Sequence, residues 1–145
     1  MPVGEHALDR FLKAQDEAGT YRSALAELRS GSKRGHWMWF VFPQCAGLGM
    51  SATSQRYAIS SLAEARAYLQ HPVLGSRLRE CAGALLAVKG KSAEEIFGHV
   101  DAMKLRSSMT LFALGAPDDS VFREVLGRYF NGTLDPRTEQ LISES

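Results

Sequence analysis

The sequence predicts an all-α domain of about seven or eight short helices. Three observations carry this prediction. Apolar residues recur at the helical interval along most of the chain, capping residues precede the stripes, and no stretch alternates with the period of a strand. From Ala7 to Gln15, the residues Ala7, Leu8, Phe11, Leu12 and Ala14 fall near one face, leaving Asp9, Arg10 and Lys13 to solvent. Thr20 is placed to cap a second helix whose Tyr21, Ala24, Leu25 and Leu28 repeat at the same interval before Gly31 and Ser32 stop it.

Trp37 to Phe42 is too short and too uniformly apolar for periodicity to separate strand from helix, and context favours helix. Pro43 ends the element in either case, because it drives Phe42 out of the helical region. Gln44 to Ser51 then reads as a loop, and Ser51 or Thr53 caps a short helix carrying Arg56 and Tyr57. Ser61 with Glu64 forms a capping box for Leu62 to Gln70, and Pro72 suits the first position of a helix reaching towards Gly90. A second box, Ser92 with Glu95, opens a turn through Ile96 and Phe97. Asp101 or its neighbours begin a stretch to Leu114. Asp118 or Asp119 caps the apolar stripe that ends at Asn131 and Gly132, and Asp135 before Pro136 starts a last helix to Ser143.

At 145 residues, with 45% apolar and 23% charged residues, the chain is expected to form a single globular domain over residues 1–145 with a real core. A net charge of +1 gives no electrostatic reason to expect nucleic acid or a membrane surface as partner. No leader pattern or membrane-length apolar run is visible, so a cytoplasmic location is expected, with Cys45 and Cys81 as free thiols. His6, His36, His71 and His99 are too scattered for a metal site, and no metal or cofactor is implied.

The most distinctive stretch is Gly35-His36-Trp37-Met38-Trp39-Phe40-Val41-Phe42-Pro43-Gln44, followed by Gly47-Leu48-Gly49 and Ser51. With Tyr57 to Ser60, Glu64 to Leu69 and the later phrase Lys104-Leu105-Arg106-Ser107-Ser108-Met109-Thr110-Leu111-Phe112, it resembles an uncharacterised bacterial family known as a domain of unknown function. Many members of that family carry the label calpastatin. The resemblance implies a compact helical domain and supplies no reaction. The label conflicts with the sequence, since that inhibitor class is disordered and proline-rich whereas this chain has 5 prolines and helical patterning throughout.

These phrases concentrate cations, hydroxyls and aromatic rings. Each has a bland reading: the rings fill the core, the glycines serve a turn, and the cations are solvated. Two tryptophans at i and i+2 do not share one helical face, however, so one of them is expected to leave the core and line a pocket or interface. Gly47, Gly49 and Ser51 suit a loop that presents amides to an anion. Arg34, His36, Arg56, Lys104, Arg106 and Ser107 supply charge and hydrogen bonds around it, with Trp39 and Tyr57 as ring partners and Gln44 as an orienting group. The expected function is binding, with or without processing, of a small anionic metabolite such as a nucleotide or an ADP-ribose derivative. The alternative is a non-enzymatic helical module that docks a protein through its exposed tryptophan. The first reading requires Arg34, His36, Trp39, Gln44, Ser51, Arg56 and Arg106 to converge on one pocket.

Overall fold

The computed structural model describes residues 3–143, with side chains from Leu8 onward. Within them the order is α1 (Val3–Asp16), a 3-10 turn (Glu17–Gly19), α2 (Thr20–Ser30), α3 (Met38–Val41), α4 (Ala52–Arg56), α5 (Leu62–Gln70), α6 (Leu74–Ala87), α7 (Ala93–Phe97), α8 (His99–Gly115), α9 (Val121–Phe130) and α10 (Pro136–Ser143). The domain is all-α, as expected. Among the described residues seven helices run eight residues or more, and α3, α4 and α7 are turns of four or five residues at the short helical stretches the sequence marks. Among the described residues the one extended pairing is an isolated parallel bridge between Cys45 and Ile59.

The centre of the fold is α8. From Leu105 to Ala113 every residue but Arg106 is buried, so this helix lacks a solvent face over two turns and takes α5, α7, α9 and α10 around it. On the far side α6 packs against α2, α5 and α9, and α1 closes the end against α2, α3 and α5. A run of rings joins these layers, Phe11 to Tyr68 to Phe112 to Phe122, each pair within contact distance. A second run, Trp37 to Phe42 to Phe97, ties α3 to α7. Among the described residues no helix is long and apolar enough to cross a membrane.

Most helix starts follow their sequence signals, and the exceptions have physical causes. Ser51 caps α4, Ser61 caps α5, and Ser92 with Glu95 closes a full capping box on α7. The box at Ser61 is half made, because the Glu64 carboxylate takes the amide of Ser60 at 2.8 Å instead of that of Ser61. Thr20 is the first residue of α2 and not its cap: left-handed Gly19 turns the chain there, and the threonine hydroxyl donates back to the Glu17 carbonyl. Pro72 lies ahead of α6. That helix starts at Leu74, where Nδ1 of His71 accepts the amides of Val73 and Leu74.

Asp101 does not open α8, which begins two residues earlier after Gly98; its carboxylate is taken by two lysines. Neither Asp118 nor Asp119 caps α9. Ser120 stands at the cap, but its hydroxyl donates to the Glu124 carboxylate at 3.5 Å and caps no amide, and Asp119 pairs with Arg79 instead. The expectation for the Ala7 side chain lies outside the described residues.

Candidate functional site

The segment from Gly35 to Phe42 is positioned by one carboxylate. A single oxygen of Glu27, on α2, accepts the amides of Arg34 and Gly35 and the indole N–H of Trp37, at 2.7, 2.9 and 2.9 Å. Burial by itself would raise the Glu27 carboxyl. The donors from Gly35, Arg34 and Trp37, with Lys33 nearby, outweigh burial and hold it below its usual value. A carboxylate depressed in the folded state stabilises fully above the ordinary carboxylate range, near about 4.3, and loses that contribution as pH falls through its lower folded value. Urea titrations across this acid window should show the wild type losing more stability than Glu27→Gln. Equal acid slopes would rule this role out.

The anchored turn separates the two tryptophans. Trp37 is 2% exposed and packs against Phe42, whereas Trp39 is half-buried and lines a hollow. Each carries a lysine over its ring, Lys33 at 4.9 Å from the Trp37 centroid and Lys104 at 4.6 Å from that of Trp39. Asp101 holds both ammonium groups, at 2.8 Å from Lys33 and 3.4 Å from Lys104. Lys104 is therefore a fixed charge at the edge of the Trp39 hollow.

Beyond Pro43 the chain forms a loop whose ends are tied at the Cys45 to Ile59 bridge: the Ile59 amide donates to the Gln44 carbonyl and the Ala46 amide to that of Ile59, both at 2.8 Å. Inside it, Gly47 sits at φ +99°, a conformation glycine adopts without strain, and a Cβ there would lie 3.1 Å from Leu141 of α10. A Cβ on Gly49 would come within 2.5 Å of Ser54. The glycines thus let the loop turn tightly and fold down on α4 and α10.

Two adjoining hollows result. The first, of about 110 Å³, lies between Trp39 and Tyr57 and is lined also by Gln44, Cys45 and Gly47 to Gly49. The second, of about 390 Å³, has Lys104 and Ser107 of α8 on one wall and Asp135 and Arg137 at the start of α10 on the other. Gln44, Leu48, Gly49 and Ser54 line both. The side-chain amide of Gln44 makes no hydrogen bond among the described residues, so a polar group at the seam is available to a guest.

Of the seven residues expected to converge, two, Trp39 and Gln44, share a hollow. Trp39, Gln44, Gly47, Gly49 and Tyr57 share the first hollow, and Gln44, Gly49, Lys104 and Ser107 share the second. Arg34 and His36 are exposed on the turn held by Glu27 and line neither. Arg56 stands 5.6 Å from the Tyr57 ring centroid and borders a separate groove with Arg10 and Lys13.

Ser51 is spent on its cap, accepting the Ser54 amide at 3.0 Å, so the start of α4 does not offer that amide to an anion. Arg106 is occupied as well. It donates to the carbonyls of Thr133 and Leu134 at 3.0 and 2.7 Å, which makes its fork a clamp on the α9–α10 junction instead of a ligand for phosphate. The thiol of Cys45 lines the first hollow, but burial pushes it up despite its hydrogen bond with Thr138, so it is not an activated thiolate.

Arg137 and Asp135 escaped the sequence reading, which took them as a plain helix start. A signal was present: an arginine in the first turn opposes the helix dipole, and a residue kept there against the dipole invites another explanation. In the structure α8 places both. Thr110 accepts the Asp135 amide at 2.9 Å, Ser107 approaches its carboxylate, and Arg106 holds the two preceding carbonyls.

Residues 5–142 match the model of a family described as a protein of unknown function, DUF1810. The chain belongs to this family. It is similar to the conserved hypothetical protein Rv1873 from Mycobacterium tuberculosis, whose crystal structure superposes with a TM-score of 0.90 at 55% identity, over 94% of this chain and 96% of that one. No curated protein matches the chain. The ordered helical core and these relatives give the calpastatin label no support.

Proposed function

We propose that the protein binds a small anionic metabolite carrying a flat ring, the ring against Trp39 and Tyr57 and the anionic group between Lys104 and Arg137. The observation that carries this reading is the shared seam: the same four residues, including Gln44 with its side-chain amide unpaired among the described residues, line an aromatic hollow and a cationic one. Nucleotides and ADP-ribose derivatives have that pair of chemistries. The reading as a protein-docking module finds less support, because Trp39 lines a concavity and does not stand on a flat apolar patch. No reaction is proposed.

A titration of AMP and ADP-ribose, followed by Trp fluorescence and thermal shift, tests the binding. Ring stacking contributes about 1–3 kcal/mol per base in comparable sites, so Trp39→Ala is expected to weaken AMP by about tenfold or more while leaving the fold intact. Undiminished affinity in Trp39→Ala, or no response to either nucleotide, would remove the reading.

A further inference from the structure

The cationic hollow is not purely cationic. Asp135, 9% exposed, is its one carboxylate among the described residues, and it lines the hollow together with Lys104 and Arg137. One of its oxygens, Oδ2, is saturated: it accepts the Thr138 amide at 3.0 Å and the Thr138 hydroxyl at 2.5 Å, with Ser107 Oγ at 3.2 Å. Its own amide is held by Thr110. The carboxylate therefore has a fixed orientation. The other oxygen, Oδ1, receives no hydrogen bond among the described residues and is not among the buried polar atoms left without a partner, so it is accessible to solvent on a residue that lines the hollow.

We propose, resting on the binding reading above, that Asp135 sets the specificity of this hollow by requiring an N–H or O–H donor beside the anionic group of the ligand. An ionised carboxylate only accepts hydrogen bonds. A guest that brings acceptors alone, such as pyrophosphate, repels Oδ1 and leaves it unpaired. A guest whose phosphate or carboxylate lies next to an amine or hydroxyl satisfies both cations and the acid together. Rejection of a guest that lacks the matching donor is typically stronger than discrimination by shape, because it strands a polar group away from water.

O-Phosphoethanolamine and propyl phosphate isolate the effect, since they match in length and differ by an ammonium group in place of a methyl. Lys104 and Arg137 without Asp135 would disfavour the ammonium compound, so the two possibilities predict opposite signs. Dissociation constants from NMR titration of the full chain are expected to favour O-phosphoethanolamine by about tenfold or more. In Asp135→Asn the preference should vanish or reverse. Asparagine is as good a helix cap as aspartate, and its amide oxygen can keep the Thr138 bonds while its NH₂ faces the hollow.

Equal affinities in the wild type, or a preference unchanged in Asp135→Asn, overturn the proposal even if AMP binds as expected. If the variant does not fold, the sign of the wild-type preference still decides. Failure of AMP and both phosphates to bind removes the binding reading and this proposal with it.

Discussion

Trp37→Ala should lower the free energy of unfolding by about 3–5 kcal/mol, the cost typical of emptying a large aromatic site in a core. Trp39→Ala, two residues on, should lower it by less than about 1 kcal/mol. The difference follows from burial and partners. The Trp37 indole is enclosed, packs on Phe42, and gives the carboxylate of Glu27 one of its three donors. Its removal leaves a cavity and loosens the turn that sets the direction of α3. Trp39 is half-buried, its ring borders a hollow, and the cation over it, Lys104, keeps Asp101 as a partner when the ring is gone. Urea unfolding of the two variants gives the answer, and comparable losses would show that the roles of the two rings are not separated as described.

That separation was legible in the sequence because it depends on period alone: residues two apart on a helix point roughly 200° from each other, whatever surrounds them. Which ring would stay inside was not legible, because the deciding partner, Glu27, lies on another helix and looks like any solvated acid. The same division holds elsewhere. Ser92 with Glu95, and Asp135 with Pro136, are local signals acting over three residues, and the helices start where they say. Asp119 carries an equally good capping signal, but Arg79 from α6 claims it first.

For the site, the aromatic and glycine phrase was readable as a unit, and the fold does make Trp39, Gln44, Gly47, Gly49 and Tyr57 neighbours. The hydrogen bonds of Arg106 were not legible, because the composition of its phrase cannot reveal that the carbonyls of residues 133 and 134 lie within reach. Arg137 was missed for the converse reason. Arg137 lines the hollow where α8 grips the start of α10 through Arg106, Ser107 and Thr110. The distinctive polar residues of the later phrase thus shape the hollow mainly by holding another segment, with Lys104 the cation they contribute directly.

Two glycines on α6 should respond to the same substitution with opposite signs. Gly75, in its first turn, is buried, and a Cβ placed there would fall 2.1 Å from the carbonyl oxygen of Leu69 and 2.8 Å from its carbon. The obstacle is backbone at the end of α5. It cannot swing aside like a flexible side chain, and the Leu69 carbonyl is further held by Nη1 of Arg79 at 3.2 Å, whose Nε pairs with Asp119. Room for a methyl group requires α5 and α6 to move apart by about an ångström along a shared contact of the core, placing Gly75→Ala at about 3 kcal/mol or more, the upper end of overpacking costs. Gly83, two turns later and exposed, has nothing within 4 Å of its added Cβ. There the substitution only reduces the freedom of the unfolded chain and improves helix propensity, so Gly83→Ala should stabilise by about 0.5–1 kcal/mol. Thermal and urea unfolding of the pair separate packing from propensity on one helix. A well-folded Gly75→Ala with unchanged stability would mean that the corner between α5 and α6 is looser than the contact of Leu69 with Gly75 requires.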